Sequence, residues 1–391
     1  MKGTRLSVGF IPLIDAAPLI VAQEMGFASE EGIFLDLKSA PSWSSLRDML
    51  AFGRVDAAHM LSPVPVATAL GLGGGGAKFA AVSVLSMNGN VIGVSNDLAQ
   101  RLRDVGHGFG FNDAAAAGQD LIKAAKGRLR IGVPFPFSMH AELLYYWLSA
   151  LGLPAPQSVD IRTVPPPLMA DAIEAGEIDA FCVGEPWGSK AVESGGGELL
   201  LPGSAIWSSA PEKVLAVRAD WAEQETALMG RLIRAVWRAA RWLGNPDSPM
   251  LASELLSRPE YLDLPSEMLE RALTGNMVIS ASGETRPVEG FVEFFHGAAT
   301  FPWRSQAEWI GAQLAARTGL DRAVARGQAQ SVFRSDLYRQ ALAQTSADLP
   351  GASSKIEGGL TAPEAVASAA GQLILGRNQF FDGRVFDPSE E

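Results

Sequence analysis

The sequence contains a single cysteine, Cys182. A lone thiol excludes an internal disulfide and a four-cysteine zinc site, and with them the staples of a small secreted scaffold. Only four histidines occur, and none forms an HExxH pair, so neither a metal nor another cofactor is expected. Basic charge is also short. Lys and Arg total 32 against 43 Asp and Glu, a net charge of -11, and no Lys/Arg run appears. A phosphate backbone requires a clustered basic face, so no direct nucleic-acid partner is expected. Long apolar runs are missing too: the longest uncharged apolar stretch, around Leu61 to Ala77, is broken by Pro63, Pro65 and Gly73 to Gly76. It is not a spanning helix, and no membrane association is expected. The same glycine run lacks the Lys-Ser/Thr that completes a phosphate loop. At the start, Met1-Lys2-Gly3-Thr4-Arg5 leads into Leu6 to Ile11, which is too short for a signal peptide and lacks its cleavage site. The expected location is therefore cytoplasmic.

What the chain does have is size and repetition. Its 391 residues, 47% hydrophobic and 19% charged, fit two or three well-packed domains. Two segments align at an offset of 123 residues: Val8-Gly9 falls on Ile131-Gly132, Gly53-Arg54-Val55-Asp56-Ala57 on Gly176-Glu177-Ile178-Asp179-Ala180, and Pro63 on Pro186. Apolar periodicity predicts strand Leu6 to Ile11, helix Pro18 to Met25, strand Ile33 to Leu37 and helix Ser44 to Phe52 in the first copy. The second copy reads strand Arg130 to Val133, helix Met139 to Leu151, strand Val159 to Val164, helix Leu168 to Ala175 and strand Ile178 to Val183. Alternating β and α elements call for a parallel sheet covered on both faces, and two copies make two lobes.

Two lobes joined by crossing strands leave a groove, where small ligands usually bind. Asp15-Ala16-Ala17-Pro18 places a candidate cap before a first-turn proline, and Ser138 is positioned to cap the helix carrying His140. Helix N-termini facing the groove suit an anion. After Asp220 the sequence is mostly helical, with Ala222 to Leu243 the longest run and no third repeat; this part is expected to wrap the first lobe. Leu349 to Gly359 reads as a loop.

Specific strings resemble a known family, the nitrate- and bicarbonate-binding proteins of ABC transporters. They are Gly9-Phe10-Ile11-Pro12-Leu13 with Asp15 and Ala17-Pro18, then Ser42-Trp43, then Asp179-Ala180-Phe181-Cys182-Val183-Gly184-Glu185-Pro186-Trp187, then Pro211-Glu212-Lys213. The resemblance covers nearly the whole chain and implies an α/β, two-lobed type II periplasmic-binding-protein (venus flytrap) fold with a helical C-terminal extension. Lobe I is expected at 1–95 and 214–391 and lobe II at 96–213. Without the transporter members' export signal or lipid-attachment cysteine, the chain looks like the cytosolic NasS-type nitrate/nitrite sensors. That implies nitrate or nitrite as ligand, and release of a partner antitermination regulator when the ligand binds. A transporter solute-binding protein for nitrate or bicarbonate is the alternative.

By the same resemblance Trp43, Asn90, His140, Gly184, Glu185 and Lys213 line the ligand cleft. Asn90 stands where transporter members have glutamine, keeping an amide but shortening its reach. Nitrate only accepts hydrogen bonds, so its site needs donors and about one positive charge. Lys213 is expected to supply the charge, and Asn90, Trp43 and His140 the N–H groups. Bicarbonate carries an O–H that wants an acceptor, a role Glu185 can fill, whereas the fixed ammonium of Lys213 argues for nitrate. Each residue also has a plainer reading: Trp43 in the core, His140 as a structural histidine, Lys213 on the surface, Asn90 in a turn. No activated nucleophile, GxSxG or dinucleotide fingerprint is present, and an enzyme is not expected.

Overall fold

The computed structural model describes residues 3–74 and 76–390. Met1 and Lys2 of the opening segment, Gly75 of the glycine run and Glu391 lie outside that description. Ten strands carry the two sheets: β1 (Thr4–Phe10), β2 (Ile33–Ser39), β3 (Ala57–Leu61), β4 (Phe79–Asn88), β5 (Asn90–Ser95), β6 (Arg130–Val133), β7 (Asp160–Thr163), β8 (Ala180–Gly184), β9 (Gly197–Pro202) and β10 (Pro211–Arg218). The first sheet has the order β4-β10-β3-β1-β2, extended beyond β4 by the short strand Val292–Glu293; the second runs β7-β6-β8-β5-β9. Helices cover both faces of each, as strands apolar on both sides require.

The repeat is structural. In the first copy the Asp56 carboxylate accepts the Ser7 N–H at 2.9 Å, and in the second the Asp179 carboxylate accepts that of Arg130 at 2.9 Å. The two aspartates and the two strand residues are related by the same 123-residue offset, so the string containing Asp179 anchors a strand start. Gly53 and Gly176 both adopt left-handed φ, 67° and 69°, which a side chain would strain. At Gly9 a Cβ would sit 2.4 Å from Leu46, and at its counterpart Gly132 2.8 Å from Ile178. Both glycines let a helix or loop lie directly on the sheet.

Within each repeat the pairing is parallel, β1 with β2 and β3, β6 with β7 and β8. The sheets are nevertheless mixed, because β10 runs antiparallel to both β3 and β4, and β5 antiparallel to β8 and β9. These are the crossing strands. The chain leaves the first sheet between Asn88 and Asn90 and returns between Pro202 and Pro211. Residues 90–95 therefore belong to the second lobe and 211–213 to the first, which moves both expected boundaries.

The region after Asp220 also departs from expectation. Helix Thr226–Leu243 lies on the first lobe, where Arg234 and Arg238 pair with Glu31. Segment 264–288 instead meets the second lobe: Ile279 O accepts the Leu199 N–H at 2.8 Å, and Arg271 pairs with Glu193 at 2.6 Å. Beyond Leu342 the described chain has no further helix. Its aromatics Phe380 and Phe381 pack against Tyr146, Trp207 and Trp309, joining the second lobe, the crossing segment and helix Arg304–Thr318. No described helix is long and apolar enough to cross a membrane.

Candidate functional site

The two helix N-termini that reach the cleft are capped by serines. Ser42 accepts the Ser45 N–H at 3.2 Å and places Trp43 as the first residue of helix Trp43–Ala51. Ser138 accepts the Ala141 N–H at 3.2 Å and places His140 in the first turn of helix Met139–Ala150. Each cap replaces a partner that the free N–H groups of a helix start otherwise lack. Asp15 does not cap in this way. It sits in the 3-10 turn Ile14–Ala16, the following helix has no side-chain cap, and its carboxylate turns to the cleft.

There it meets the cation. Lys213 Nζ lies 2.7 Å from Asp15 Oδ2 and 2.9 Å from Glu212 Oε1, with all three side chains 0% exposed. Asp15 Oδ1 is 2.9 Å from His59 Nε2, and Glu212 Oε1 is 3.1 Å from His140 Nδ1. Asn90 Nδ2 donates to Glu212 Oε2 at 2.7 Å. The ammonium also stands 5.5 Å from the centroid of the Trp43 ring, in cation–π range. Asp15, Trp43, His59, Glu212 and Lys213 come from the first lobe, and Asn90, His140 and Gly184 from the second. A Cβ on Gly184 would come within 2.9 Å of the Leu13 side chain and 3.7 Å of His140 Nε2, so a side chain here would displace Leu13 where the lobes meet.

Adjacent strand residues normally face opposite sides of a sheet. Glu212 and Lys213 escape that rule because the pairing of β10 with β4 shifts register on both sides of Lys213, a bulge that turns both into the cleft.

Burial opposes ionisation of Asp15, yet Lys213 and His59 hold its carboxyl well below the ordinary range. Burial pushes the Glu212 carboxyl up against the pull of Lys213 and Asn90. The ammonium of Lys213 is raised by the two carboxylates in spite of burial. Burial lowers both histidines, His140 strongly and with Lys213 adding to it. The set amounts to one cation between a carboxyl held toward its ionised form, a carboxyl pushed toward its protonated form, and two imidazoles pushed toward their neutral form.

Trp43, His140, Gly184 and Lys213 are thus brought together as expected from the sequence, and the surface reading of Lys213 fails. Its role changes, because its charge is already matched by Asp15 and Glu212. Asn90 is present, but its amide already donates one N–H to Glu212. Glu185 is buried and does not share the cluster's contacts: its carboxylate accepts the Ser189 N–H at 3.1 Å at the start of helix Trp187–Glu193, and burial pushes it up to about 7. Asp15, His59 and Glu212 are the residues sequence reasoning missed. The available signal was an ionisable residue inside an otherwise apolar run, as in Ala57-Ala58-His59-Met60-Leu61.

Among the buried side-chain atoms without a hydrogen-bond partner in the described residues are Trp43 Nε1 and both ring nitrogens of His140 and of His59. Buried polar atoms are seldom left so. The lobes close over them: the Ile14 N–H donates to Glu185 O at 3.0 Å, and Trp187 Nε1–H to Pro12 O at 2.8 Å. A cavity of about 490 Å³ lies elsewhere, beside the crossing segment and lined by Asn88, Ser208, Trp303, Gln306 and Arg377 among others. The enclosed cluster is the better candidate, because donors from both lobes converge there.

Comparison with known proteins agrees with this architecture. Two ATP-binding proteins of Synechocystis sp., the nitrate import protein NrtC and the bicarbonate transport protein CmpC, are each 32% identical over 81% of this chain and 46% of their own. The chain thus spans about half the length of these relatives. The crystal structure of the periplasmic nitrate-binding protein NrtA from Synechocystis PCC 6803 superposes with a TM-score of 0.84 at 26% identity, covering 99% of this chain and 96% of that one. The two-lobed periplasmic-binding-protein fold is therefore shared along the whole chain. Residues 1–257 match the NMT1-like family, and the chain belongs to that family.

Proposed function

We propose that this protein binds nitrate or nitrite between its lobes, as a solute-binding protein of the kind that serves an importer. The observation that carries the reading is the pair of unpartnered buried atoms, Trp43 Nε1 and His140 Nε2, beside the Lys213 ammonium. A small planar monoanion that only accepts hydrogen bonds suits such a set. The importer reading rests on the relatives, which are a nitrate import protein, a bicarbonate transport protein and a periplasmic nitrate-binding protein. The cytoplasmic sensor expected from the sequence, with its antitermination partner, has no support among them and takes second place. Cell fractionation distinguishes the two, since an importer's receptor works outside the cytoplasmic membrane.

Calorimetry with nitrate, nitrite, bicarbonate with and without calcium, and sulfate tests the ligand. Nitrate and nitrite are expected to bind with affinities of the same order. Absence of binding to both, or equal binding of bicarbonate with calcium, overturns the assignment. For the sensor reading the check is a complex with a regulator that dissociates on adding nitrate.

A further inference from the structure

The cluster has no spare positive charge for an incoming anion. Lys213 is within 2.9 Å of two carboxylates, so with both ionised the group carries one negative charge before any ligand arrives. Asp15, His59, Glu212, Lys213 and His140 are all buried, and an unpaired charge in such surroundings is strongly disfavoured. Adding nitrate alone would double the excess.

The same conflict appears atom by atom at His140. One ring nitrogen, Nδ1, stands 3.1 Å from Glu212 Oε1 without a hydrogen bond to it; the other, Nε2, also lacks a partner and is read above as facing the anion. A neutral imidazole has one N–H and one lone pair. With Glu212 ionised, either tautomer therefore leaves a ring lone pair beside a negative oxygen, on the Glu212 side or on the ligand side. One additional proton removes both conflicts: it can rest on the ring, giving N–H groups at both nitrogens, or on the Glu212 carboxyl.

Resting on the ligand site proposed above, we infer that the anion enters together with one proton, which is held by the Glu212–His140 pair. Anion and proton together add no net charge to the buried group. The remaining groups around the pair do not substitute for it. Asp15 is held ionised by Lys213 and His59, His59 faces Asp15 at 2.9 Å, Asn90 donates to the other Glu212 oxygen, and the Cys182 thiol is pushed well up by burial. Burial also raises the Glu212 carboxyl in the empty site, so uptake is expected only above that raised value, where the empty pair has released its proton. The pair titrates as a unit.

The sign follows from linkage. Where the empty pair has lost the proton and the occupied pair retains it, affinity falls as pH rises, by about tenfold per pH unit for one proton. Nitrate titrations between pH 6 and 9, in buffers of different ionisation enthalpy, read proton uptake directly. The expected result is uptake rising toward one proton per nitrate with increasing pH, together with the loss of affinity. Glu212→Gln keeps the side-chain shape but cannot ionise; it is expected to bind nitrate with no uptake and a flat pH profile, whereas His107→Gln, at a histidine paired with Asp120 outside the cluster, retains the uptake. Nitrate binding without proton uptake across this range overturns the inference and leaves the ligand assignment standing. Undiminished uptake in Glu212→Gln, or its loss in His107→Gln alone, also overturns it. No nitrate binding at any pH removes the ligand assignment itself.

Discussion

At the residue scale, Trp43 separates stability from ligand binding. Its indole is buried, yet the Nε1–H has no partner among the described residues. Replacing Trp43 with Phe removes a donor without exposing a charge, so the empty protein should lose little stability beyond the smaller ring. The bound state loses a hydrogen bond to an anion, about 1.5–3 kcal/mol or roughly 10- to 100-fold in affinity. Calorimetry beside chemical denaturation checks this. A variant with unaltered nitrate affinity would return Trp43 to a purely packing role. Glu185 gives a second residue-scale expectation. Its carboxyl titrates near the ordinary 4.5 when unfolded and at about 7 when folded. Between those values the native state holds more protons, so stability falls as pH rises through the window and levels off above it. The Glu185 component is on the order of 3 kcal/mol. Glu185→Gln removes it, and urea unfolding at pH 5 and pH 8 should show the variant gaining on the wild type at the higher pH. Parallel pH dependence of the two proteins would reject this account.

At the scale of elements, the two lobes are tied at the end of helix Arg304–Thr318. Arg317 reaches from the first lobe to Glu142 in helix Met139–Ala150, at 2.6 Å, and donates to Pro136 O at 3.2 Å. Its guanidinium lies 5.4 Å from the Phe137 ring centroid and 5.5 Å from that of Tyr145, which adds stacking to the ion pair. Glu142 is 1% exposed. Removing the arginine while the lobes stay together leaves that carboxylate buried and unpaired, a loss of about 3–5 kcal/mol. Lobe opening relieves it by hydrating Glu142. Arg317→Met is therefore expected to open the free protein and weaken nitrate binding, and small-angle scattering should report a larger radius of gyration. The double variant with Glu142→Gln should recover part of the affinity, since the uncompensated charge is gone. Equal affinity in the single variant would mean that this contact does not bias closure.

At the scale of the whole molecule, ligand and lobe closure are linked. The cluster takes residues from both sheets, so an anion bonded to Trp43 and His140 joins the lobes and favours the closed arrangement over an open one. Nitrate at a hundred times its dissociation constant should add about 2.7 kcal/mol to the free energy of unfolding. The melting temperature should keep rising with nitrate concentration. Nitrate binding that leaves both Tm and the scattering curve unaltered would place the anion outside the inter-lobe site.

The repeat, the alternation of strand and helix and the capping serines were legible because each is written in neighbouring residues. The aspartates at 56 and 179 share one sequence offset and one hydrogen bond, and Ser138 caps the helix that its position before His140 predicts. Trp43, His140 and Lys213 were also within reach as donors on a groove. Whether the ammonium of Lys213 is free was not, since its partner Asp15 arrives from the turn after β1, far away in sequence, and its partner Glu212 from the wrong face of a regular strand. Only the bulge in β10 puts Glu212 and Lys213 on one side, and only closure of the lobes brings His140 to Glu212. Local periodicity determined the elements and their order; the charge balance of the site was decided by tertiary structure, because electrostatic pairing depends on distance through space and on exclusion of water.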